Sequence, residues 1–246
     1  MIFKRFQEDI AAFMARDPAA RGALEIVLCY PGFHALLFYR LSSWLWRHKM
    51  FLAGRFISHI GKVLTAIEIH PGVQIGKRFV IDHGTGVVIG ETSIIGDDVT
   101  LYQAVTLGGI SPSENSSSQV GVKRHPTLAD GVIVGSGAQV LGPITVGAGA
   151  RVGANSVVTK EVPPGVTAVG IPAQVVLPKD KQEAGKFQAY GTPTDGCPDP
   201  TTHAIENLRC QISLLAKRIE ELEHESDEDS ASGGNQEKTK TKQPAA

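Results

Sequence analysis

From about residue 67 to residue 176 the chain repeats itself every six residues. Ile75-Gly76 is followed by Ile81; Ile89-Gly90, Ile95-Gly96, Leu101 and Leu107-Gly108 keep the step; Leu128, Val134-Gly135, Val140, Val146-Gly147, Val152-Gly153 and Val158 continue it. A helix buries one face at 3.6 residues per turn, so a period of six cannot sustain one, and the density of β-branched residues and glycine also disfavours it. A hexapeptide period is the signature of a parallel β-helix. Six residues make one short face and three faces close a triangular coil. The aliphatic residue points inward, where only a stacked neighbour covers it.

The period breaks twice. Ile75 and Ile89 are further apart than two repeats, and the surplus falls in Asp82-His83-Gly84-Thr85-Gly86. Leu107 and Leu128 are further apart still, the surplus being a polar stretch from Ser111 to Lys123 that ends in Arg124-His125-Pro126. Solenoids accommodate insertions as loops, often on the binding face. Both breaks carry histidine.

Residues 1–66 hold nearly all the large aromatics, with Leu36, Leu37, Tyr39, Leu41 and Leu45 at helical spacing, and are expected to form a helical N-terminal domain. Asp17-Pro18 reads as an N-cap followed by proline at the first helical position, and Pro31-Gly32 as the break between two helices. Residues 67–176 make the β-helix domain. A linker over 177–202 leads to a helix over 203–224, where Ile205, Leu208, Ile212, Leu215, Ile219 and Leu222 form a short heptad seam. That helix serves oligomerisation or packs on its own subunit. Residues 225–246 have the composition of a disordered tail.

A net charge of -1 and a pI of about 6.7 leave no global positive field, so neither nucleic acid nor a membrane surface is an expected partner. A small molecule is. Cys29, Cys197 and Cys210 form no CxxC pair and no disulfide framework, which fits a reducing cytoplasm. The start, MIFKRFQEDI, carries charges where a signal peptide needs an apolar core, and the longest uncharged run nearby, Ile26 to Tyr39, includes Pro31-Gly32. Neither export nor membrane spanning is expected.

A histidine flanked by glycine at a bulge is accessible and titrates near neutrality, so His83 is a candidate general base; the glycines can also serve bulge geometry alone. Glu68 precedes it by close to the length of one coil and can face it. A carboxylate on one ring nitrogen fixes the tautomer and stabilises the cation formed when the other takes a proton. Asp82, Arg124 and His125 offer a zwitterion its opposite charges: an acid for an ammonium, a guanidinium and an imidazole for a carboxylate. His59 reads as core or helix surface, and His70 as a turn residue beside Pro71. Metal is the competing chemistry, through His70, His83 and His125 converging across subunits; with no HxH pair and no cysteine cluster, no metal is expected. The glycines of GTGVVIG at 84–90 belong to the repeat and not to a dinucleotide fingerprint.

The run EIHPGVQIGKRFVIDHGTGVVIGET, followed by LYQAVTLGG, KRHPTL and VGAGARVGANSVV and preceded by RDPAA and YPGFHALLFYRLSSWLW, closely resembles the serine O-acetyltransferases of cysteine biosynthesis over about residues 5–176. The resemblance implies a left-handed parallel β-helix behind an all-α N-terminal domain. It implies a homo-oligomer, a trimer or a dimer of trimers, with each active site between two subunits, acetyl-CoA as donor and L-serine as acceptor. His83 matches the family's catalytic histidine and Glu68 its carboxylate partner, which is aspartate in much of the family. Asp17 and Asp82 match residues on serine's amino and hydroxyl end, Arg124 and His125 those on its carboxylate. Backbone N–H groups at Gly108 and Gly109 would stabilise the oxyanion, Gly135, Ser136 and Ala154 line the pantetheine arm, and Lys160 lies towards the adenine.

The chain departs from the family in three places. Ile110 to Gly121 replaces a shorter glycine-rich loop, Lys123 stands where an acid often precedes the Arg-His pair, and the chain ends KQPAA. Many members bind O-acetylserine sulfhydrylase through a C-terminal isoleucine, whose absence argues against that complex. Feedback inhibition by L-cysteine at the serine site is carried over as an expectation. Two other readings stay open: an acyltransferase for another hydroxyl or amine acceptor, and a non-enzymatic assembly protein in which His83 is dispensable.

Overall fold

The computed structural model describes residues 2–110, 116–176, 205–219 and 222. The expected linker over 177–202, the tail over 225–246 and Cys197 lie outside the described residues.

Four helices come first: α1 Ile2–Arg16, α2 Ala23–Cys29, α3 Pro31–Arg47 and α4 Phe51–Thr65. Pro31 occupies the first turn of α3, where its missing N–H is no loss, as the Pro31-Gly32 break predicts. The N-cap expected at Asp17 is not found. Arg16 ends α1, Asp17 Oδ1 accepts the N–H of Ala19 in an Asx turn, and α2 starts only at Ala23 behind Gly22. A short carboxylate satisfies a nearby backbone donor in either setting, so the local sequence does not separate the two.

From Glu68 the chain runs in short strands that stack into three sheets, the faces of a triangular β-helix. The first face holds Glu68–Ile69, Val88–Ile89, Thr106–Gly108, Gln139–Leu141 and Val157–Val158; the second Gln74–Ile75, Ile94–Ile95, Thr127–Leu128 and Thr145–Val146; the third Val80–Ile81, Thr100–Leu101, Ile133–Val134, Arg151–Val152 and Thr167–Gly170. Val88 pairs with Thr106 and Gln139 with Val157, each pair separated by three hexapeptides, which is one regular coil. Glu68 pairs with Val88, and Thr106 with Gln139, across longer stretches of chain. Those long coils contain the two breaks seen in the sequence. The last coil, in which Arg151 pairs with Thr167, is shorter than three hexapeptides, and an antiparallel strand Ala173–Val176 closes the third sheet.

The sixth-residue positions Ile81, Ile89, Leu101, Leu107, Leu128, Val134, Val140, Val146 and Val152 are all buried. A second inward column two positions earlier, Val73, Phe79, Val87, Val99, Val105, Val132, Ala138 and Ala150, is buried with them. Burying a Val, Leu or Ile side chain is worth about 1.5–3 kcal/mol, so the stack is held chiefly by these two columns.

The first coil has no coil before it, and the helices supply the missing donors. Ser58 Oγ donates to Ile69 O at 2.7 Å, Tyr39 Oη to Val73 O at 2.6 Å, Arg5 Nη2 to Gly76 O at 3.1 Å and Arg16 Nη1 to Arg78 O at 2.7 Å. Arg16 also pairs with Asp98, which is in turn bonded to Arg78. Gly32 brings the start of α3 against the backbone of Ile81, where a Cβ would overlap the carbonyl oxygen. The helices and coils form one compact unit, Met1–Cys197.

The helix over 205–219 belongs to a second unit, Pro198–Ala246, and its seam residues Leu208, Ile212, Leu215 and Ile219 are exposed. Among the described residues no single helix is long and apolar enough to cross a bilayer, and α2 and α3 are bent by 70° at their junction.

Gly32→Ala forces a methyl group into a backbone carbonyl that cannot rotate away. The substitution is expected to cost about 1–3 kcal/mol, read as a lower urea midpoint; an unchanged midpoint would contradict the packing of α3 on Ile81.

Candidate active site

Two corners of the triangle carry the polar groups of interest. The first joins the third face to the first face. In the later coils it turns through one residue of positive φ, Ala104 (59°), Gly137 (70°) and Asn155 (55°). In the first coil it needs three, His83 (57°), Gly84 (83°) and Gly86 (80°), because the surplus of that long coil must fit between Ile81 and Val88. Gly84 tolerates no Cβ, which would meet Ile67 and Ile81, while Gly86 donates its N–H to Ala66 O and stacks beneath Ala104. The bulge leaves His83 exposed and Asp82 half-buried. A left-handed conformation in a non-glycine residue costs about 1–3 kcal/mol and is held by its surroundings.

The helices bring further groups to this corner. Tyr30 donates its hydroxyl to the Asp17 carboxylate; that bond first, then burial and the charges of Asp17, Glu25 and Asp82, pushes the phenol up to about 12. Burial, reinforced by Asp17, raises the carboxyl of Asp82 above its ordinary range against the pull of His83. Glu68 opens the first-face strand at this corner, its N–H donating to Val87 O, and its carboxylate is bonded to Lys62 of α4 at 2.5 Å. Gly135, Ser136 and Ala154 continue the corner in the third and fourth coils, with Asn155 N–H donating to Ser136 O at 2.7 Å. The predicted pantetheine positions thus form a column along the same edge as His83.

The second corner joins the first face to the second. His70 and Glu91 turn it in successive coils, and the long insertion returns to it at Arg124-His125. Arg124 Nη2 bonds Glu91 at 3.0 Å, while its Nε is buried without a partner among the described residues. His125 is 8% exposed and fits into space left by Gly90, whose Cβ would strike the ring. Burial, then Arg124, lowers its pKa, against Glu91. His70 accepts the N–H of Gly72 on Nδ1 at 3.0 Å and lies edge-on to Trp46, as its reading as a turn residue implies. Burial, then Arg55, lowers it to about 4. Gly108 and Gly109 end the first face towards this corner, Gly109 lying beside the Arg124 backbone, and Lys160 follows the last first-face strand, exposed.

The structure therefore groups Asp17, Asp82 and His83 at one corner and Arg124 and His125 at the other, a full face away. Tyr30, Glu91, Thr92 and Gly90 were not legible as site residues: Gly90 reads as a repeat glycine, and the others act through partners far off in sequence. His59 lies exposed on α4. Among the described residues no three His, Cys, Asp or Glu side chains stand together as a metal would require.

Residues 1–37 match the family described as serine acetyltransferase, N-terminal, and residues 125–160 the bacterial transferase hexapeptide of six repeats. The chain is 51% identical over 84% of its length to a serine acetyltransferase of Mycobacterium tuberculosis, of which it covers 85%. The chain belongs to the serine acetyltransferase family. It is accordingly an acyltransferase enzyme, and its β-helix is the left-handed one expected. The fold also matches the serine acetyltransferase of Neisseria gonorrhoeae in complex with serine, at TM-score 0.66 and 35% identity over 72% of this chain and 69% of that one. That of Brucella abortus in complex with coenzyme A gives TM-score 0.67 and 35% identity over 71% and 67%.

His70 is held neutral in the fold but binds a proton near pH 6.5 when unfolded. Between about 4 and 6.5 the unfolded state therefore carries the extra proton, and stability falls as pH drops through that window. His70→Asn keeps an acceptor for Gly72 and cannot titrate; the loss of melting temperature between pH 6.5 and 4 should be smaller in this variant. Equal losses would remove His70 from the acid response.

Proposed function

We propose that the enzyme transfers the acetyl group of acetyl-CoA to the hydroxyl of L-serine, giving O-acetyl-L-serine and CoA, with the active site completed between two chains. Relatives with serine and with coenzyme A bound support the two substrates. The observation that carries the site is the pair of complementary corners. At the first corner burial and the charge of Asp17 already disfavour the ionised carboxylate of Asp82, so an ammonium group there is favoured. Arg124 keeps a buried N–H for a carboxylate. Ammonium and carboxylate of one serine are a few ångströms apart, whereas these corners lie at opposite ends of a face. A second chain presenting its Arg124 corner to the first chain's His83 corner brings them together, which favours a homo-oligomer.

In that setting His83 accepts the proton of the serine hydroxyl as its oxygen attacks the thioester carbonyl. Glu68 supports the imidazolium, with Lys62 holding its carboxylate in place. Backbone N–H groups at Gly108 and Gly109, on the Arg124 corner that the second chain presents, meet the oxyanion. The tetrahedral intermediate collapses with loss of the CoA thiolate, which takes the proton back from His83. The arm of acetyl-CoA runs along Gly135, Ser136 and Ala154, the column on the His83 edge, with Lys160 towards the adenine. L-cysteine carries the same ammonium and carboxylate as serine, so the same groups bind it as a competitive inhibitor. The exposed thiols of Cys29 and Cys210 fit a reducing cytoplasm.

Free-thiol release from acetyl-CoA with L-serine should fall by about two orders of magnitude or more in His83→Ala, the usual cost of deleting a general base. Release independent of serine, or undiminished in a folded His83→Ala, would return the reaction to another acceptor or the β-helix to a non-enzymatic role.

A further inference from the structure

Four contacts join Thr92 to Arg124 and His125, and the proposed reaction does not use Thr92. Its Oγ1 accepts the backbone N–H of Arg124 at 3.0 Å and of His125 at 3.1 Å. A hydroxyl oxygen has two lone pairs and one hydrogen. With both pairs engaged, the hydrogen is left for the remaining neighbour, His125 Nδ1, at 2.9 Å. The backbone N–H of Thr92 donates to the same ring nitrogen at 3.2 Å. Nδ1 thus receives two donors, and the proton of the neutral ring belongs on Nε2.

We infer that Thr92 is a positioning residue: it locks His125 as a neutral Nε2–H donor and fastens the Arg124-His125 pair to the second coil. A ligand carboxylate at this corner then meets one permanent cation, Arg124, and one neutral donor, His125. The groups facing His125 are Arg124 and Lys123 from its own segment, Glu91 from the second coil and His70 from the first. The two cations oppose a proton on the ring and Glu91 alone favours it. Lys123 tightens the same corner, its ammonium donating to Thr92 O at 2.7 Å and Pro126 O at 3.2 Å. A neutral donor keeps its hydrogen as pH rises, whereas an imidazolium contact weakens above about 6.5. Serine binding by this corner is therefore insensitive to pH across neutrality as far as His125 is concerned. The inference rests on the proposal that Arg124 and His125 hold the carboxylate of the acceptor.

The test uses the full chain labelled with 15N-histidine, the ring of His125 being identified by the signals absent from His125→Gln. Nε2 should be protonated and Nδ1 bare, unchanged between about pH 6 and 8.5. Thr92→Val should raise KM for L-serine about tenfold or more, with a smaller change in kcat; Thr92→Ser should bring KM back to within a few-fold of the native value. A native ring protonated on Nδ1 would overturn the inference without any variant, and so would a folded Thr92→Val with native KM. If His125→Gln and Arg124→Ala leave KM for serine unmoved, it is the carboxylate reading that fails, while the native spectrum still decides the tautomer.

Discussion

An aliphatic side chain at every sixth residue is buried only because another coil lies on it, and everything else in this molecule follows from keeping that stack in register. Leu101 stacks on Val134, Leu107 on Ile89 and Leu128 on Ile95, each in the neighbouring coil, and all are buried. Register tolerates no slip, so extra residues are expelled at corners, where backbone can bulge without disturbing the columns. The surplus expelled between Ile81 and Val88 puts His83 outside the triangle, and the longer surplus expelled after Leu107 returns as Arg124-His125. The candidate site is built from what the core rejects.

The open first coil adds the second element. Its unpaired carbonyls draw donors from three helices, and the contacts that satisfy them also set the helices over the His83 corner. Arg16 on Arg78 and Asp98 fixes the end of α1, so Asp17 follows immediately beside the β-helix; Gly32 on Ile81 fixes the start of α3, so Tyr30 meets Asp17. Capping a solenoid end and assembling a polar pocket are here the same set of interactions.

The β-helix was legible because its period is a property of each residue and its sixth neighbour, and both breaks were visible as faults in that count. The helical region was legible from aromatic content and spacing. Asp17 reads wrongly as an N-cap because α2 begins only at Ala23, so its carboxylate accepts the Ala19 N–H in an Asx turn instead of capping a helix. Tyr30, Glu91 and Thr92 gave no signal, since their roles lie in bonds to Asp17, Arg124 and His125, all distant in sequence. The resemblance named the individual candidate residues, but their division between two corners of one chain came only with the strand register.

That division is the central claim, and mixing defective chains tests it directly. Differently tagged His83→Ala and Arg124→Ala chains, co-expressed and purified as mixed oligomers carrying both tags, would be assayed for serine-dependent thiol release at low serine. With the site between neighbours, about one site in three of a mixed trimer has both halves intact, so activity should reappear well above either parent. If the mixed oligomers remain as inactive as the parents, both corners act within one chain and the account of a shared site is wrong.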